Sequence, residues 1–163
     1  MSAGDRLYFA YGSNLYPARM CRRVPSAVVV ARTRIPGFRL AFRKSGRDGS
    51  AKCDLEPAPE ATVWGALYRL DAVEQPALDD AEGPGYYVDR VTVTTGEGPV
   101  EAFTYRARRD WIDARAVPYD WYRDLVVAGA RVHGFPQSYI AAVADIEAVP
   151  DPDPERAAAN RPR

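Results

Sequence analysis

TVWGALYRL, residues 62–70, running into DAVEQPALDDAEG, residues 71–83, is the stretch that decides the fold. Trp64, Ala66, Tyr68 and Leu70 alternate along it, so they share one face of a strand. Asp71-x-x-Glu74 then has capping-box spacing and opens a helix. Pro76 is tolerated there only because it falls near the first turn. Val73, Ala77, Leu78 and Ala81 keep helical spacing as far as Glu82, where Gly83-Pro84 stops the helix.

Upstream, Leu7–Tyr11 reads as a strand ending at the turn formers Gly12-Ser13-Asn14. A short helix over Tyr16–Arg23 follows, with Asn14 as its expected cap. Ala27–Arg34 and Phe38–Phe42 read as two short strands separated by a Pro36-Gly37 break. Residues 45–61, rich in Gly, Ser, Pro and acids, read mostly as loop. Downstream, Tyr87–Thr95 and Val100–Arg106 form a hairpin through Gly-Glu-Gly-Pro. From residue 118 the period is helical: Trp121, Leu125 and Ala128, with Tyr122, Val126 and Gly129, make an apolar stripe. Gly134-Phe135-Pro136 breaks it, and a second helix over Gln137–Glu147 buries Ile140, Val143 and Ile146. The expected fold is α+β, one domain over residues 1–149 with a strongly curved mixed sheet. The tail PDPDPERAAANRPR, residues 150–163, is Pro-rich and polar, and is expected to be disordered.

Composition excludes several chemistries. The 163 residues suit one domain, with 47% hydrophobic and 27% charged residues as in soluble globular chains. No apolar run is long enough for a membrane span. The N-terminal MSAGDRLYFAYG lacks the apolar stretch of a secretory signal, so a cytoplasmic protein is expected. One histidine, His133, and two cysteines, Cys21 and Cys53, fall short of the roughly four ligands of a structural zinc site. Without C-x-x-C the cysteines read as two reduced thiols. No phosphate-binding loop, G-x-G-x-x-G or G-x-S-x-G is present. His133 precedes a Gly-Phe-Pro break, where a helix C-terminus favours it; it is not expected to be catalytic. Residues 1–52 hold 11 Lys/Arg against 2 Asp/Glu, and residues 53–163 hold 11 against 20, so +9 balances −9. The basic residues sit singly between apolar ones, so the halves are expected to pair within one fold rather than bind nucleic acid.

Two constellations remain. Glu82 stands at a helix end, facing the negative end of the dipole, with Asp79 on nearly the same face and Tyr86 and Tyr87 close behind. All three features disfavour a charged carboxylate, as a general base near neutral pH requires. Tyr11-Gly12-Ser13-Asn14 closes the first strand, and glycine there permits φ > 0 and close approach, so successive N–H groups can hold an anion. Each has a plainer reading, an exposed helix-end acid and a simple turn.

YFAYGSNL, residues 8–15, and LDDAEGPGYY, residues 78–87, resemble the signature loop and catalytic-glutamate motif of the γ-glutamylcyclotransferase family. VWGALYRL, residues 63–70, resembles the strand before the glutamate, and residues 117–147 resemble the C-terminal helices of the cyclotransferases proper. The likeness runs in order over residues 7–147. It implies a small mixed β-barrel flanked by helices, with the site at one mouth. It implies cleavage of a γ-glutamyl amide by cyclisation to 5-oxoproline, with Glu82 as catalytic acid/base. Tyr11, Gly12, Ser13 and Asn14 would hold the γ-glutamyl group, and Tyr87, Tyr105 and Tyr122 would line the pocket. The partner implied is a small γ-glutamyl substrate, with no cofactor and no metal, and a homodimer is admitted. GPGY between Glu82 and Tyr87 is short, which alters the pocket rim. The alternatives are a non-catalytic ligand-binding module on the same barrel, or a cyclotransferase acting on a γ-glutamylamine or a γ-glutamyl-protected biosynthetic intermediate.

Overall fold

The computed structural model describes residues 4–163, so the first three residues of the N-terminal stretch lie outside the described residues. Five strands form one mixed sheet in the order β2-β3-β1-β5-β4. They are β1 Asp5–Ala10, β2 Val28–Ser45, β3 Ala51–Asp71, β4 Tyr86–Thr95 and β5 Gly98–Ala107. Among the described residues five α-helices flank it: α1 Pro17–Arg23, α2 Gln75–Glu82, α3 Asp120–Val132, α4 Gln137–Ala144 and α5 Pro154–Asn160. β1 pairs antiparallel with β3, Tyr8 opposite Tyr68, and parallel with β5, Tyr8 opposite Phe103.

The sheet curls but does not close, which corrects the expected barrel. β2 and β4 remain its edges, and they meet through a side chain, Thr33 Oγ1 donating to the carbonyl of Thr94 at 2.7 Å. The curl follows from register shifts at Val29/Ala31, Pro36/Phe38 and Phe42/Lys44, since each bulge bends its strand.

The expected break at Pro36-Gly37 and the expected loop over residues 45–61 are both corrected, for β2 and β3 are single long strands. Pro36 pairs with Thr62 and Phe38 with Pro57, so residues 58–61 are bulged out. Pro59 falls inside that bulge, where the ladder needs no N–H donor.

Helix α2 begins much as its sequence implies. Asp71 Oδ1 accepts from the Val73 N–H at 3.1 Å, and a 3-10 turn over Ala72–Glu74 leads into α2. The reciprocal half of the box is replaced: Glu74 accepts from the Ser26 N–H, and the Asp71 N–H donates to Ser26 Oγ. Leu78 is fully buried and anchors α2, so the helix end carrying Glu82 is held against the sheet.

Helix α3 buries Trp121, Tyr122, Leu125, Val126, Val127, Gly129 and Ala130 and packs on the turn at residues 13–15. Fully burying one of its large apolar side chains contributes about 1.5–3 kcal/mol. The expectation of a disordered tail is corrected. Residues 154–160 form α5, because Asp153 caps it by accepting from the Arg156 N–H and Ala157 is buried. The segment is fastened by Asp151, which accepts from Trp121 Nε1 at 2.8 Å and pairs with Arg156. No helix among the described residues is long and apolar enough to cross a membrane.

Candidate active site

The site forms where β1 runs out beside the end of α2. Gly12 has φ −111°, so the expected positive φ is corrected. Close approach favours glycine there: a Cβ would lie 3.1 Å from Cys53 Cβ and 3.6 Å from the Tyr122 hydroxyl. Ser13–Leu15 then make one 3-10 turn, and Ser13 and Asn14 are buried.

Asn14 is the hub. Its Nδ2 donates to Glu82 Oε1 at 2.7 Å and to the Tyr8 hydroxyl at 3.0 Å. Its Oδ1 accepts from Arg23 Nη1 at 2.9 Å, and its backbone carbonyl accepts from the Tyr68 hydroxyl at 2.9 Å. Asn14 therefore does not cap α1, as its position suggested; Tyr16 occupies that position without a side-chain bond.

Glu82 ends α2 with its side chain 14% exposed. The charges around it differ from those expected. Arg23 Nη1 stands 3.3 Å from Glu82 Oε1, a cation the sequence did not foretell. Asp79 is engaged elsewhere, accepting a hydrogen bond from the Tyr105 hydroxyl.

Tyrosines build the walls. The Tyr11 hydroxyl donates to the carbonyl of Tyr105. Tyr86 and Tyr122 hold opposite sides of Cys53: the Tyr86 hydroxyl donates to its carbonyl at 2.6 Å, and the Tyr122 hydroxyl accepts from its N–H at 3.0 Å. Burial pushes the hydroxyls of Tyr8, Tyr11, Tyr86, Tyr105 and Tyr122 well above their ordinary range, so all are neutral donors or acceptors. Burial also pushes the Cys53 thiol up to about 12, which leaves it inert.

Tyr8, Tyr11, Gly12, Ser13, Asn14 and Glu82, with Tyr86, Tyr105 and Tyr122, line a narrow inner pocket of about 20 Å³. Its placement on the sequence is corrected at one residue. Tyr87 of β4 pairs with Arg106 of β5 and lies outside the pocket, and Tyr86, one position earlier, faces in. The inner pocket shares Ser13, Glu82, Tyr86 and Tyr122 with an outer cleft of about 320 Å³. Six cations line that cleft, Arg19, Arg23, Lys44, Arg47, Lys52 and Arg156, against three acids, Asp48, Asp80 and Glu82. Arg19 Nε donates to Ser13 Oγ, and burial lowers the Arg19 guanidinium to about 10. Cys53 and the cations carry no sequence signal of a site; only the folded arrangement brings them to it. His133 lies outside both cavities, its Nε2 donating to the Leu15 carbonyl at 2.7 Å, and burial lowers its proton affinity.

Residues 62–143 match the AIG2-like family model. Mouse γ-glutamylcyclotransferase is 33% identical to the chain over 141 residues, covering 82% of the chain and 74% of the mouse protein. The chain belongs to the γ-glutamylcyclotransferase family. The bovine protein of that name is likewise 33% identical over 151 residues, covering 86% of the chain and 78% of the relative. A solved γ-glutamyl cyclotransferase structure superposes with a TM-score of 0.81 at 29% identity, covering 88% of this chain and 89% of that one. The residues matched by the family model include α2 and Glu82.

Proposed function

We propose that the chain releases 5-oxoproline from a γ-glutamyl amide, with Glu82 as general acid/base. The observation that carries this reading is the hydrogen bond joining Asn14 to Glu82 across one pocket, which unites the glycine-containing turn and the helix-end carboxylate. A γ-glutamyl group carries its own nucleophile, the α-amine, so no serine, cysteine or metal nucleophile is needed. Folding the substrate makes the attack intramolecular, worth an effective molarity of about 10⁵–10⁸ M when aligned.

The α-amine forms a bond to the γ-carbonyl carbon and gives a proton to Glu82. The five-membered lactam closes, the amide C–N bond breaks, and Glu82 returns the proton to the departing nitrogen. Asn14 holds Oε1 of Glu82, leaving Oε2 toward the reacting atoms. Gly12, Ser13 and Asn14 hold the γ-glutamyl end, with Tyr11, Tyr86, Tyr105 and Tyr122 enclosing it. The neutral tyrosine hydroxyls orient the substrate without competing for its proton.

The test is 5-oxoproline release from γ-glutamyl amides by the wild type and by Glu82→Gln. Loss of the proton shuttle should lower turnover by about 10²–10⁴-fold. Equal rates in two equally folded proteins would reject the role. Tight binding of 5-oxoproline with no turnover of any γ-glutamyl compound would instead favour the non-catalytic module.

A further inference from the structure

Lys44 is the unusual cation of the outer cleft. Its residue is 5% exposed, yet among the described residues its ammonium makes no hydrogen bond and no ion pair. It sits instead over two aromatic faces, 4.6 Å from the Tyr86 ring centre and 4.9 Å from that of Trp111. Gly85 makes this path possible. A Cβ there would lie 2.5 Å from Lys44 Cε, so the lysine stem passes directly beneath the turn that follows Glu82.

A second cation makes the arrangement costly. Lys44 and Lys52 are direct partners across β2 and β3, where like charges repel. Lys52 is compensated by Asp48 at 2.8 Å and lies over the Tyr122 ring at 4.6 Å. Lys44 has no such partner. Burial and then Lys52 both weaken its hold on its proton, and the carboxylate of Glu82 opposes them. The fold thus holds a dehydrated, unpaired ammonium on the wall that bears Tyr86, facing the cleft shared with Glu82. An uncompensated charge at that depth is stabilised by an anion brought from outside.

We propose that Lys44 is the specificity-determining residue that receives a carboxylate on the departing amine half of the substrate. The assignment rests on the cyclotransferase reading of the same cleft. The γ-glutamyl end sits at the mouth of the inner pocket, against Glu82 and the turn at residues 12–14. The other half of the amide must then project through the shared rim into the outer cleft, where Lys44 stands. A donor whose departing half is neutral would leave Lys44 unpaired.

Two donors differing in one group test this. In γ-glutamyl-alanine the departing alanine is a carboxylate, and in γ-glutamyl-alaninamide it is neutral. The wild type should prefer the carboxylate in kcat/KM by about 10–100-fold, the range for a hydrogen-bonded charge. Lys44→Met should bring that ratio close to unity, and Lys44→Arg should restore part of it. Lys44→Gln, which keeps length and polarity, gives the same readout should the methionine variant fold poorly. A wild-type ratio near unity, or a ratio unaltered in Lys44→Met and Lys44→Gln, would overturn the proposal. Calorimetric binding of both donors to Glu82→Gln separates the two readings. A binding preference that vanishes on adding Lys44→Met supports the subsite even where no 5-oxoproline is released, which would fail the cyclotransferase reading alone. No preference in binding, alongside normal turnover, fails the subsite alone.

Discussion

Asn14 and Glu82, 68 positions apart, are joined by a 2.7 Å hydrogen bond from amide to carboxylate. The same amide group also engages Tyr8 and Arg23, so one buried side chain ties β1, α1 and α2 together. Truncation by Asn14→Ala strands several partners at once. It should cost about 1–3 kcal/mol, read from urea denaturation. Turnover per folded molecule should fall as well, because Glu82 loses the donor that orients it. A stability loss with unchanged turnover would leave Asn14 a prop of the fold only.

Gly12→Ala tests the floor of the pocket. The added methyl meets Cys53 Cβ at 3.1 Å, tighter than ordinary contact. Overpacking of this kind costs about 1–3 kcal/mol. Cys53 is held from both sides by Tyr86 and Tyr122, so its displacement should disturb both walls and raise KM. Thermal denaturation and steady-state kinetics on the same preparation check both effects.

How much of this was written in the chain depends on how local each feature is. Thr62–Leu70, α2 and its Gly83 stop were legible because alternation, capping and chain reversal are short-range. The span at residues 45–61 was not, since Pro57 and Pro59 mark loops, yet Pro57 pairs with Phe38 and Pro59 falls in a bulge that exists only through the pairing of β2 with β3. Glu82 and the turn at residues 11–14 were legible as candidates, but Arg23 beside Glu82 comes from tertiary packing. The resemblance implies Tyr87 as the pocket tyrosine, yet neighbouring residues of a strand point to opposite faces, and it is Tyr86 that faces in. The tail misled by composition: proline and aspartate signal disorder, yet here they cap α5, and its anchor on Trp121 is remote in sequence.

The two thiols should react very differently. Cys21 is exposed, whereas Cys53 is buried and pushed up to about 12. Iodoacetamide at pH 8 should label Cys21 alone in the native protein, with Cys53 labelled only after unfolding. Peptide mass spectrometry reads the difference, and native labelling of Cys53 would contradict its enclosure between Tyr86 and Tyr122.

Removing residues 150–163 should destabilise the domain, unlike loss of a free tail. The buried Trp121 Nε1–H loses its acceptor on Asp151, and Arg19 loses Asn160. A fall in Tm of about 4 °C or more is expected, since about 2–4 °C accompanies each kcal/mol at this chain length. The truncation also removes Arg156 and Asn160 from the cleft wall, so KM should rise. An unshifted Tm would mean that α5 contributes nothing to the fold.

Lys44 makes a pH-dependent prediction that needs no substrate. Burial first, and Lys52 next, lower its proton affinity below the ordinary 10.5, so the folded chain binds that proton less readily than the unfolded one. Stability contributed by a depressed base is present above its unfolded value and is lost as pH falls through its folded value. The wild type therefore carries the penalty of a charged Lys44 at neutral pH and is relieved of it in strong alkali. Lys44→Met removes the charge at every pH and nearly preserves volume. The variant should exceed the wild type in Tm at pH 7, and the gap should narrow as pH approaches 10.5. Paired thermal melts across pH 7–10.5 measure the gap directly. A gap that is constant with pH would mean that packing over Tyr86 and Trp111, rather than an uncompensated ammonium, governs this position.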